Sequence, residues 1–139
     1  MAGTAVIKRK KKQKKEEIIL RKILDDTWEV YHELGLFVSG GVKNAHKVMG
    51  EVIKRLYKLG KELEEARNFD LRLKENEIVR LLNFAYKELQ KSHGRCWDIL
   101  RGKGDFKQEI LESRAEIEKA FRAIEEAIQY QERRIKEAA

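Results

Sequence analysis

Proline is absent from this chain, cysteine occurs once, as Cys96, and no apolar run approaches the roughly 18 residues that a membrane-crossing helix needs. Without proline nothing is obliged to interrupt a helix from within. A single cysteine excludes an intramolecular disulfide and a thiolate metal cluster, and fits a reducing compartment. The lack of an apolar leader ahead of the lysines leads us to expect a soluble, unexported, cytoplasmic protein with no transmembrane segment. Strand-like alternation is also missing: its longest instance is Phe69, Leu71, Leu73, which reads better as loop packing followed by a helix start.

Charge is what the chain has in abundance, with 40% of its 139 residues Asp, Glu, Lys or Arg and a net charge of +7. That excess is local. Lys8, Arg9, Lys10, Lys11, Lys12, Lys14 and Lys15 are seven cations with no acid among residues 1–15, and they leave 24 basic and 24 acidic side chains in the remainder. Residues 1–15 therefore read as a basic flexible arm, disordered or fraying from the first helix, because like charges repel and nothing there demands burial. Residues 16–139 read as one neutral domain. Its wealth of Lys and Glu and its poverty in Asn, Gln, Met and Cys resemble the composition of thermophile proteins.

The clearest periodicity lies in Val42, Ala45, Met49, Val52, Leu56, Leu59, Leu63 and Ala66, an unbroken run of three- and four-residue steps. Such a seam belongs to a helix packed lengthwise on other helices, as in a coiled coil or bundle. Beside it run His46, Gly50, Ile53, Tyr57 and Gly60, whose small members suit a close neighbour. Leu20, Leu24, Thr27, Tyr31 and Leu34 predict a first helix over 16–38, crossing Gly35. The third is expected over 71–101, with Asp70 as N-cap and Gly94 as the point where it would break. The fourth, over 106–137, carries Ile110, Ile117, Phe121, Ile124, Ile128 and Ile135, with Arg114 and Gln131 as polar members and Asp105/Gln108 at capping-box spacing. Glycine-rich connections at 39–41 and 102–104 are short. The fold class expected is all-α: an antiparallel up-down-up-down four-helix bundle with long helices, helix two spanning 42–66, and a disordered basic N-terminal arm.

Catalytic motifs are sparse. Glu29 and His32 form a Glu-x-x-His step, which di-iron bundles use twice, but Lys43 precedes His46 and Gln90 precedes His93 at the matching position, so the second copy is missing. Asp25, Asp26, Glu29 and Glu33 would serve Mg²⁺ only with matching acids on a facing helix, such as Glu62, Glu64 and Glu65. The three histidines lie on three helices without ligand spacing, and Cys96 follows the apolar rhythm of a core thiol. Arg95, Arg101 and Lys103 around Gly102 and Gly104 suit an anion less well than they suit a plain turn. No catalytic residue, metal or cofactor is assigned.

A 32-residue fourth helix spans about 48 Å, more than helices one or two are expected to cover. Phe121, Ile124, Ile128, Tyr130 and Ile135 are therefore expected to form an exposed homodimer interface. The function expected is non-enzymatic: a self-associating helical bundle mediating protein–protein interaction with a partner of unknown identity. The alternative is a nucleic-acid-associated protein in which Lys8, Arg9, Lys10, Lys11, Lys12, Lys14 and Lys15 contact DNA or RNA phosphates non-specifically.

Overall fold

Long runs of good helix formers, with apolar residues every three to four positions, fold as helices that bury one stripe each. The computed structural model describes residues 2–40 and 42–137, with side chains at 11, 12, 14–40 and 42–137. Four helices make up the described residues: α1 (Ala2–Ser39), α2 (Ala45–Arg72), α3 (Asn76–Leu100) and α4 (Phe106–Glu137). They pack in a ring in which α1 touches α2 and α4, and α3 touches α2 and α4.

The α2 seam is the centre of this packing. Met49, Val52, Leu56, Leu59, Leu63 and Ala66 are all buried. Facing them are Leu20, Ile23, Val30 and Leu34 of α1, Ile78, Leu82, Ala85 and Leu89 of α3, and Ile110, Ile117, Ile124 and Ile128 of α4. Fully burying each large aliphatic side chain contributes on the order of 2 kcal/mol. Gly94 does not interrupt α3, which continues to Leu100.

Two helices are longer than the periodicity predicts. α1 begins at Ala2, where the start was expected near Glu16, because the lysine-rich run is made of residues with good helix propensity and contains no proline. α2 begins at Ala45, after Asn44 in the left-handed region at φ 55, and continues past Asn68 to Arg72. Asp70, expected as the N-cap of α3, lies in the last turn of α2. The reversal comes four residues later at Lys74, φ 58, with the Glu75 amide donating to the Asp70 carbonyl at 3.0 Å.

At the α3–α4 connection Gly102 and Gly104 hold φ of 73 and 76, values that any side chain would strain. The Gln108 amide then donates to Asp105 Oδ1 at 2.8 Å, closing the N-terminal cap expected for α4. Gly35 has a different reason. The Arg114 guanidinium sits 4.1 Å from the Tyr31 ring centroid, and its Nε donates to the Tyr31 carbonyl at 3.2 Å. A Cβ at position 35 would come within 3.0 Å of that guanidinium, so the glycine leaves room for an α4 side chain on the surface of α1.

Candidate functional site

The side chains of Lys8, Arg9 and Lys10 lie outside the described residues, whereas Lys11, Lys12, Lys14 and Lys15 are exposed at the head of α1. The expected interface on α4 needs correction. Ile124, Ile128 and Ile135 are buried within the chain itself, Phe121 packs against Trp28 with ring centroids 4.9 Å apart, and Tyr130 packs against the core. These residues form no exposed stripe, because α2 reaches Arg72 and α1 runs alongside: Arg21 of α1 pairs with Glu132 of α4, and Leu20 is buried at that level. The far end of α4 is covered by its own chain.

That end of the molecule holds a group of acids. Glu16 of α1, Asp70 of α2 and Glu75 at the start of α3 are all buried, with Asp70 wholly inaccessible. Burial, only partly offset by the Arg72 guanidinium, pushes the Glu16 carboxyl up to about 7. Burial also pushes Asp70 up to about 7, with the charges of Glu16 and Glu75 adding to the effect. Among the described residues neither Asp70 carboxylate oxygen has a hydrogen-bond partner, nor do the amide atoms of Gln131 on α4. Glu75 differs: Arg134 Nε donates to its Oε2 at 3.3 Å. The sequence carries a trace of this cluster, since the α2 seam continues from Leu63 and Ala66 to Asp70 with the same steps, and Glu16 stands four residues before Leu20. The step at Asp70 resembles a cap because aspartate is among the residues that accept from the free amides of a helix's first turn.

A second buried polar group ties α3 to α4. The hydroxyls of Ser92 and Ser113 bond to each other, and Cys96 Sγ lies 3.6 Å from Ser113 Oγ. Cys96 is fully buried, and its thiol is pushed up to about 11 by that burial. It is a core thiol, as its rhythm predicts. Arg95 pairs with Glu109 at 3.1 Å and also with Glu112 and Glu116. Arg95 is thereby turned away from the anion role considered at Gly102 and Gly104.

The residues considered for metal chemistry are partly brought together. Asp26 and Glu29 of α1 and Glu62 of α2 line one cleft of about 200 Å³, but Arg55 and Lys58 line it too, and Arg55 pairs with Glu33. These cations supply the countercharge that a metal ion would otherwise bring. His32 stands edge-on to Trp28, centroids 4.5 Å apart. His93 of α3 lies beside Tyr57 of α2, its pKa lowered by burial. Among the described residues no three His, Cys, Asp or Glu side chains are grouped so as to hold a metal ion.

The surface is rich in aromatics for so charged a chain. Of eleven aromatic side chains, Trp28, Tyr57, Phe84, Trp97 and Phe106 are exposed. Tyr57, with Gly60, Tyr86, Gln90 and His93, lines a groove of about 210 Å³ between α2 and α3. Of the glycines beside the α2 seam, Gly60 lies against the Tyr86 ring, 3.6 Å from where a Cβ would stand, whereas a Cβ at Gly50 would meet nothing within 4 Å, so the close neighbour expected along this line is found at Gly60 and not at Gly50. The fold and surface define an all-helical protein of four packed helices, none of which among the described residues is long and apolar enough to cross a membrane. Comparison with known proteins found no family model, curated protein or solved structure that matches the chain.

Proposed function

We propose that the protein is a non-enzymatic helical bundle that works by binding other proteins and associates with itself. The observation that carries this reading is the exposure of five of its eleven aromatic side chains. Aromatic residues are enriched in the buried centres of protein interfaces, where a large ring leaves water at little entropic cost. With the α4 isoleucines inside the core, the proposed contact surface moves to the α2–α3 groove around Tyr57 and to the α1 face around Trp28. The expected result is a dimeric mass in light scattering across a concentration series, reduced to the monomer by Tyr57→Ala or Trp28→Ala. A monomer at every concentration would sink the self-association.

We further infer an up-down-up-down helix order. Phe37 near the end of α1 meets Phe106 at the start of α4, and Arg134 near the end of α4 meets Glu75 at the start of α3. Glu33 in the last third of α1 pairs with Arg55 in the first half of α2. Each of these pairs joins neighbouring helices that run in opposite directions. A cytoplasmic setting is part of the same reading, in keeping with a single buried thiol.

A second reading rests on the head of α1. Lys11, Lys12, Lys14 and Lys15 are exposed in a run of helix without an acid, so their charges add where a polyanion would meet them. In this reading the head of α1, whether held as helix or free as an arm, contacts DNA or RNA phosphates without selecting sequence. Binding to a random DNA duplex would then weaken linearly on a log–log salt plot, with a slope of about −0.9 per phosphate contacted. Deleting residues 1–15 would abolish it, and salt-insensitive binding would rule the reading out.

A further inference from the structure

Between the end of α1, the start of α2, the end of α3 and the start of α4, the bundle has an open apolar pocket. We propose that this pocket docks an acidic segment of a partner protein that carries one large apolar anchor. The proposal rests on the protein-binding function above and names the chemistry of one partner.

Phe37, Ala45, Met49, Ile99, Leu100 and Phe106 line the pocket with His46, and its volume is about 160 Å³. A cavity of about 150 Å³ with apolar walls is enough to hold benzene, so the space suits a single leucine or phenylalanine side chain. Phe37 and Phe106 face each other across one side, ring centroids 6.3 Å apart, and Phe106 remains half exposed at the mouth. Among the described residues His46 is the only polar side chain in the lining, which leaves few donors and acceptors to read the edge of a nucleobase. Its concave shape suits an inserted side chain better than a lipid surface, which is met by apolar groups that protrude.

Charge identifies what flanks the anchor. In the two stretches that frame the pocket, 43–49 and 98–107, five cations face two acids: Lys43, Lys47, Arg101, Lys103 and Lys107 against Asp98 and Asp105. All five cations are exposed. Asp105 is committed to capping α4, and the next acids along α4, Glu109 and Glu112, are held by Arg95. Arg101 lies over the Trp97 ring, 5.2 Å from its centroid, and no carboxylate of the described residues pairs with Lys43, Lys47, Lys103 or Lys107. In a body whose charges balance only as a whole, an unneutralised basic rim around an apolar pocket is complementary to carboxylates on either side of an apolar residue.

The test is a titration of isotope-labelled full-length protein with a short synthetic peptide, a central leucine between runs of glutamate, followed by amide chemical shifts. Shifts should gather on residues 45–49 and 99–107. Replacing the glutamates by glutamine, or the leucine by alanine, should weaken binding about tenfold or more. Ala45→Glu at the mouth should block the pocket, and Lys47→Glu with Lys107→Glu should weaken binding about tenfold. Both lie in first turns, where an acid suits the helix dipole, so the fold should survive. Shifts centred elsewhere, or a glutamine peptide that binds equally well, would overturn the proposal. So would DNA or anionic vesicles that produce the same shifts and displace the peptide. A dimeric protein with no pocket shifts discards this site and leaves the proposed function standing. Pocket shifts in a strictly monomeric protein keep the site and discard self-association.

Discussion

Asp70 is wholly buried, no group of the described residues bonds either of its carboxylate oxygens, and the charge of Glu16 reaches it. Both carboxyls are raised from ordinary values of 3.8 and 4.5 to about 7, so the folded chain holds these protons more tightly than the unfolded chain does. Their contribution to stability is complete below about pH 4 and is lost as the pH climbs through 7. The groups facing them are Glu75, Arg72 and Arg134, of which Arg72 favours the charged form of Glu16. Asp70→Asn, which cannot ionise, is expected to melt several degrees above the wild type at pH 8 and close to it at pH 4. Thermal melts of both proteins across that range check this, and parallel curves would show that Asp70 does not titrate there. Cys96 gives a second residue-scale expectation. With its thiol at about 11 and fully buried, it should resist iodoacetamide at pH 8 until the protein is denatured.

At the scale of the helix, the positions of the seam residues decide what a substitution does. Leu56 is buried in the middle of α2, and Leu56→Ala should cost about 2 to 5 kcal/mol through the cavity it leaves; denaturant melts measure this directly. Ile128 is inside the bundle, so Ile128→Asp places a carboxylate in the core. Loss of helicity by circular dichroism is the expected result, whereas a well-folded monomer would point back to a surface interface. The start of α4 was legible because Asp105, Gln108 and two glycines coincide there. The start of α1 and the end of α2 were not: residues 1–15 carry no apolar stripe to mark a helix, and the seam of α2 continues into 67–72 only through Asp70, a polar residue whose burial the packing decides.

For the whole molecule, the charge splits into a basic head and a neutral body, and the two should separate in experiment. Removing residues 1–15 should leave the cooperative melt of the body in place, because Lys11, Lys12, Lys14 and Lys15 bury nothing. Loss of the melt would show that the head of α1 is part of the core. The all-helical class, four helices, the apolar seams and the buried Cys96 follow from local spacing, because a three-to-four step and a proline-free chain constrain each helix before any packing occurs. The meeting of Glu16, Asp70 and Glu75, the covering of Ile128 and Ile135, and the pocket between Phe37 and Phe106 exist only once helices of particular lengths lie at particular levels against one another. Periodicity states which face of a helix is buried but carries no record of the level at which its neighbour lies. That level is decided by the interlocking of side chains from different helices, so it arises only in the folded bundle.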